Sequence, residues 1–133
     1  ENKHLKLVGF SKKEDAFIAN HQTEMDSIIQ SGQNMYVAEE MIHKKYYEES
    51  QSLRAPFSML INHIQYIIKL VGVDYVGIGS DFDGIILPPQ QLDDVTDYPL
   101  ITKALVEKGY SEKDIDKILG GNLLRVLKAN EAR

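Results

Sequence analysis

An amphipathic helix that runs directly into a short apolar segment is the feature that most restricts the fold of this chain. Residues 56–71 place seven apolar side chains on one face at helical spacing. Pro56 suits the first turn of such a helix, and Gly72 suits its end. Residues 73–79 are too short for a helix and are typical of a buried strand. Because a helix that enters a buried strand through a glycine turn is half of a βαβ unit, the pattern predicts an α/β protein.

The rest of the chain is predicted to be mostly helical. Further helical patterns cover residues 14–31, 36–50, 98–108, 111–119 and 122–129. Pro99 lies in the first turn of one of them, and Ser111 with Asp114 forms a capping box for another. Residues 3–10 are a weaker strand candidate. We therefore expect at most two or three short strands, one of them over residues 75–79.

Composition removes several classes of protein. The chain has 133 residues, of which 43% are hydrophobic and 26% charged, as in ordinary globular proteins. Its net charge of -5 argues against nucleic-acid binding, and the absence of cysteine excludes thiolate zinc sites and a Cys nucleophile. No apolar run approaches the ~20 residues of a membrane span. The first residue is Glu1 and no signal peptide follows, so we expect the chain to begin within a longer gene product.

The strongest chemical signal is the sequence Asp81-Phe82-Asp83-Gly84, directly after the predicted strand. It lies in a stretch between Lys69 and Lys103 that contains six Asp and no Lys or Arg. In parallel α/β proteins, catalytic side chains stand at the carboxyl ends of strands, where a carboxylate can act as a general base. The alternative is an ordinary Asp-Gly turn whose aspartates bond only to backbone.

Two other interpretations of this motif are weaker. A calcium loop needs an oxygen ligand at the position of Ile85, which excludes it. A haloacid-dehalogenase-like phosphatase would use Asp81 as its nucleophile, but Ile85 replaces its usual Thr or Val and too little chain follows. Among the histidines, Glu40 and His43 form one E-x-x-H, half of a di-iron site, for which we favour a solvated helix face. His63 is predicted to be a packed, hydrogen-bonded histidine.

Several motifs in one order resemble the C-terminal part of the membrane (renal) dipeptidase family, which are zinc dipeptidases on a (β/α)₈ barrel. They lie at residues 63–64, 70–74, 76–84, 92–95, 98–99, 109–111 and 118–126. The resemblance covers residues 56–133, which would supply the last barrel helix, the last strand and the C-terminal helices. Residues 1–55 match poorly and would be a helical insertion or linker region. The resemblance thus implies a C-terminal fragment of a metallo-dependent hydrolase barrel.

The resemblance also implies roles for the two aspartates. Asp81 takes the place of the last barrel-strand aspartate, which contacts the metal-bridging water or the substrate ammonium and serves in proton transfer. Asp83 would have a supporting role behind it. The zinc ligands of the family lie upstream of this chain, so no metal ligand is assigned to it. The implied parent is a metallodipeptidase that hydrolyses dipeptides, with homo-oligomer formation left open.

The activity of the chain by itself is a separate expectation. Without the upstream ligands, we expect the isolated chain to bind zinc weakly and to hydrolyse no dipeptide. The alternative is a different class of function, in which the chain is an isolated helical interaction module without catalytic activity.

Overall fold

The computed structural model describes residues 3–131, with side-chain surroundings from residue 12 onward. Within this range lie eight α-helices, which we number α1 to α8. Their bounds are Lys3–Asn20, Gln22–Gln30, Met35–Lys45, Tyr47–Leu53, Phe57–Val71, Tyr98–Glu107, Glu112–Asp116 and Asn122–Glu131. No helix among the described residues combines the length and apolarity needed to cross a membrane. Because these eight helices cover most of residues 3–131, the prediction of a mostly helical chain is confirmed.

The first compact unit comprises residues up to Ala55 together with Gly84–Gln90. Its core consists of the buried side chains of Phe17, Met25, Ile42 and Leu53, against which Leu87 packs. The helix predicted over residues 14–31 is divided in two, because His21 adopts non-helical angles (φ -108°, ψ 9°) between α1 and α2. The strand predicted at residues 3–10 is wrong, since this segment is the beginning of α1.

The second compact unit comprises Pro56–Asp83 and the residues from Gln91 onward. Eight buried apolar side chains, from α5 to the π-helical turn Lys117–Gly121 that follows α7, form its core: Ile61, Ile64, Val76, Leu92, Ile101, Leu105, Ile115 and Ile118. The amphipathic face predicted for residues 56–71 supplies the first two of these residues. Burial of that face is the main reason why α5 forms in water, because isolated helices of this length are marginal.

Most of the predicted helix ends of the second unit are confirmed, although the helix predicted over residues 111–119 ends at Asp116, where the π-helical turn Lys117–Gly121 begins. α5 begins directly after Pro56 and ends before Gly72, which has φ 89°. α6 carries proline in its first turn, and Gly109 follows its end with φ 83°. Ser111 caps α7, where its Oγ accepts a hydrogen bond from the Asp114 N–H at 3.2 Å. These ends depend on local chemistry, which is why the sequence indicates them.

The strand predicted at residues 75–79 is wrong. Val73–Tyr75 form a 3₁₀ turn, and Val76 continues in an extended conformation (φ -114°, ψ 137°). The Ile78 N–H donates to the Ile118 carbonyl at 3.2 Å, within the π-helical turn Lys117–Gly121. Residues 3–131 contain no strand that could pair with this segment. A single extended segment cannot form a ladder, so it lies against helices instead.

Candidate functional site

Asp81 and Asp83 lie on either side of a partly buried phenylalanine. Both aspartates are exposed, whereas Phe82 between them is partly buried and packs against the core of the second unit. The Phe82 and Tyr98 rings lie 6.0 Å apart, and the Tyr98 hydroxyl donates to Ser80 Oγ at 2.9 Å. Phe82 therefore fixes the segment while leaving both carboxylates accessible to solvent.

Asn122 braces the extended segment that leads to these aspartates. Its side chain is buried, and its Nδ2 donates to the carbonyls of Val73 and Val76, each at 2.8 Å. Gly121 allows the close approach of backbone before it, because a Cβ there would lie 3.1 Å from the Asp116 carbonyl oxygen. The Gly121-Asn122 pair thus joins the start of α8 to the base of the segment.

A buried arginine holds the segment that follows the aspartates. Within the first unit, Arg54 donates from Nε to the Pro88 carbonyl at 2.7 Å and from Nη2 to the Pro89 carbonyl at 2.6 Å. The Gln90 N–H also donates to the Ala55 carbonyl at 2.9 Å. The sequence assigned no role to Arg54, and the structure places it as a clamp on this segment. Its carbonyl partners lie 34 and 35 residues away, beyond any local sequence pattern.

Several other aspartates of the acidic stretch serve local structure. Asp94 Oδ1 accepts from the Thr96 N–H at 2.7 Å and hydroxyl at 2.6 Å, and these bonds lower the pKa of Asp94. Asp97 Oδ2 accepts from the Asp93 N–H at 2.8 Å. Asp94 and Asp97 therefore form a capping box for the short 3₁₀ helix Val95–Asp97 before α6.

Asp74 has an ionic partner. Its Oδ1 lies 2.6 Å from Lys117 Nζ, and the hydrogen bond and charge of Lys117 lower the pKa of Asp74. Arg125 Nη2 donates to the Asp74 carbonyl at 2.6 Å. This exposed group ties the turn after α5 to the last helices of the chain.

A cluster of three titratable side chains lies in the first unit. Glu14 on α1 and Glu39 and His43 on α3 bring one carboxylate oxygen each and a ring nitrogen within 4.8 Å of one another. Burial raises the pKa of Glu14, helped by the charges of Glu39 and Asp15. Burial, with a contribution from His21, lowers the pKa of His43.

The histidine predictions are wrong. His43 is only 4% exposed rather than part of a solvated helix face, and His63 is exposed rather than packed. The sequence signal that was missed is Glu39 with His43, four residues apart, which share one helix face; Glu40 points toward Lys44 instead.

The surroundings of Asp81 do not form a metal-ligand set. Among the described residues, the group of three possible metal ligands is Glu14, Glu39 and His43, and it contains neither Asp81 nor Asp83. The zinc implied by the resemblance therefore does not fit at Asp81 with ligands from this part of the chain alone. An exposed carboxylate there can bind a cationic group or accept a proton.

Comparison with known proteins identifies the family. The model of the membrane dipeptidase family (peptidase family M19) matches residues 16–133. The chain belongs to this family. The match begins well before residue 56 and so includes most of the segment in which the sequence offered no recognised motif.

The curated relatives are longer proteins. Over 74 residues the chain is 49% identical to dipeptidase ataJ of Aspergillus terreus, covering 56% of this chain and 18% of that protein. Over 80 residues it is 38% identical to dipeptidase 3 of Macaca fascicularis, covering 60% of this chain and 16% of that protein. The chain thus spans less than a fifth of the length of these relatives. No solved structure matches it at a significant level.

Proposed function

We propose that this chain is the C-terminal portion of a zinc-dependent dipeptidase, in which Asp81 serves the reaction. The observation that carries the proposal is the family match over residues 16–133, which includes the Asp81 motif. The names of the relatives, which are dipeptidases, support the substrate class. In this proposal, the parent protein cleaves the peptide bond of a free dipeptide.

Asp81 acts on the substrate in this proposal. The exposed carboxylate of Asp81 follows a segment that is held by Asn122 and by Phe82. The backbone at Asp81 is therefore positioned by contacts of other side chains, and its carboxylate is exposed to solvent. A carboxylate so placed can bind the dipeptide ammonium or accept a proton during hydrolysis. Asp83, two residues later, helps to position Asp81 and does not itself contact the reacting groups.

In this proposal, the residues that bind the catalytic zinc lie outside this chain. Hydrolysis by a metal-activated water would take its zinc ligands from other segments of the parent, because Asp81 and Asp83 belong to no group of three possible ligands among the described residues. By this proposal, residues 56–133 supply the last helix, last strand position and C-terminal helices of the parent barrel.

The test is substitution of Asp81 by Asn in the full-length parent. Asn keeps the shape of the side chain but removes its charge and basicity, so kcat/KM should fall by about 10²–10⁴-fold. Zinc content and melting temperature should stay close to normal, because the metal ligands lie elsewhere. Asp116→Asn is the matched control, since it makes the same change at another exposed aspartate and should leave kcat/KM unchanged.

The same assay on Asp83→Asn separates catalysis from turn structure. If Asp83 has a supporting role, its loss should cost less activity than the loss of Asp81. If both residues only form a turn, the damage appears as a lower melting temperature, and the remaining folded enzyme is nearly fully active. Near-normal activity per folded, zinc-loaded molecule of Asp81→Asn would refute the assignment.

A non-catalytic helical interaction module is the second candidate. It is favoured by α8, which exposes the large aliphatic side chains of Leu123, Leu124, Val126 and Leu127. A parent that lacks dipeptidase activity altogether, measured before any substitution, would support this candidate and contradict the first.

A further inference from the structure

We propose that Glu14, Glu39 and His43 form a binding site for a divalent transition-metal ion, with Zn²⁺ as the preferred ion. The three side chains come from two helices, α1 and α3, and their ligand atoms lie within 4.8 Å of one another. Two carboxylates alone would be an ordinary acidic pair. The buried imidazole beside them is what points to a metal.

The hydrogen bonds of His43 determine which nitrogen carries the proton. Ser50 Oγ donates its only proton to the His43 carbonyl at 3.0 Å. Because that proton is used, Ser50 Oγ accepts from His43 Nδ1–H, which lies 3.0 Å away. The neutral ring then carries a lone pair on Nε2, the form in which histidine binds metals.

The Nε2 atom of His43 is buried and has no hydrogen-bond partner. Buried polar atoms are nearly always satisfied, so such an atom calls for an explanation, and an ion is one of the few available. The Nδ1 bond to Ser50 is also the kind of outer contact that fixes the ring of a metal-binding histidine. The Phe17 ring stacks on His43 at 4.6 Å and covers the ring from one side.

The donor set selects the metal. One imidazole and two carboxylates suit Zn²⁺ and its transition-metal neighbours, whereas Ca²⁺ and Mg²⁺ prefer oxygen ligands throughout. Ligand atoms of a tetrahedral zinc site lie about 3.3 Å apart, so an ion would draw the three atoms together by up to about 1.5 Å. Glu14 and Glu39 are long side chains at the helix surface and can make this movement by rotation.

The site would link two helices that are separated in the sequence by the whole of α2. Glu14 lies on α1, while Glu39 and His43 lie one turn apart on α3, so an ion bound by all three would cross-link these helices. Three protein ligands leave one position of a tetrahedral ion for water. This inference goes beyond the proposed dipeptidase function and does not depend on it, since binding is measured without substrate.

Calorimetric titration of the 133-residue chain with Zn²⁺ tests the site. We expect one ion per chain, and Glu39→Gln should weaken binding at least about tenfold. Glu40→Gln is the matched control, because it makes the same change on the same helix in a residue that pairs with Lys44. This control should bind zinc as the unchanged chain does. Equal affinity of the two variants, or no binding by the unchanged chain, would overturn the proposal.

A second variant tests the role of Ser50. Ser50→Ala removes the acceptor of the Nδ1 hydrogen bond without touching a ligand, and should lower zinc affinity by about 10–100-fold. The ¹⁵N chemical shift of His43 Nε2 should move on zinc addition in the unchanged chain, while Nδ1 stays protonated. A shift at Nδ1 instead, or a Ser50→Ala variant with full affinity, would contradict the proposed geometry. The far-ultraviolet circular dichroism of each variant confirms that it is folded.

Discussion

Asn122 is the residue on which the position of the candidate site most depends. Its amide donates to two carbonyls, those of Val73 and Val76, which are 49 and 46 residues earlier in the chain. These carbonyls belong to the segment that ends at Asp81, and the asparagine is buried while it holds them. The side chain therefore replaces, for this segment, the hydrogen bonds that a neighbouring strand would supply.

We predict that Asn122→Ala lowers the free energy of unfolding by about 1–3 kcal/mol, because the carbonyl of Val76, in a buried hydrogen bond, and that of Val73, in a partly buried one, lose their donor. Asn122→Asp should cost more, since a carboxylate is an acceptor facing two other acceptors. Urea unfolding of the chain measures both. Asn130→Ala is the control, because the Asn130 amide makes one exposed bond to the Val126 carbonyl. Equal losses at both positions would show that Asn122 is not a brace.

At the scale of elements, helix ends are the part of the fold that sequence indicates best. Pro56, Gly72 and Ser111 act on residues within one turn, so their effect can be derived without knowing the rest of the molecule. Whether residues 75–79 form a strand could not be derived in this way, because a strand exists only with a partner, and residues 3–131 contain none. Local apolar character was correctly recognised there, since Val76 is buried, but its partners are helices.

The two candidate sites differ in the same way: a local sequence pattern indicates one of them, whereas the other depends on contacts between distant helices. Asp81 and Asp83 are exposed on either side of the partly buried Phe82, and residues 82–84 form a turn, which an Asp-Gly pair indicates locally. The grouping of Glu14 with Glu39 and His43 joins positions 25 or more residues apart. No spacing rule connects α1 to α3, so only the packing of these helices reveals the group.

The end of α5 gives a prediction at the scale of an element. Gly72 has φ 89° and ψ 157°, a conformation open essentially only to glycine. Gly72→Ala should therefore lower the free energy of unfolding by about 1–3 kcal/mol, although a Cβ there would meet no atom within 4 Å. Gly77→Ala is the matched control, with equally open space and no positive φ. A loss at Gly77 as large as that at Gly72 would exclude backbone strain as the cause.

At the scale of the whole molecule, the chain contains two compact units, each with its own buried apolar cluster. The possible metal group lies in the first unit, and Asp81 lies in the second. The alignments of the chain to dipeptidase ataJ and dipeptidase 3 cover 18% and 16% of those proteins. Stable packing can therefore be expected within each unit, whereas most of the length of these two dipeptidases lies outside their alignments to this chain.

We predict that the 133-residue chain hydrolyses no dipeptide, even when saturated with zinc. A catalytic zinc site needs its ligands and its proton-transfer group around one water. By the proposal above, the ligands of the catalytic zinc lie in other segments of the parent, and the group of possible ligands among the described residues, Glu14, Glu39 and His43, lies outside the Asp81 motif. A dipeptide hydrolysis assay on the zinc-loaded chain, run beside the full-length parent, measures this directly. Turnover by the chain that disappears in Asp81→Asn would show that this part of the protein carries a complete active site. Turnover that persists in Asp81→Asn but disappears in Glu39→Gln would instead assign the chemistry to the metal group on α1 and α3.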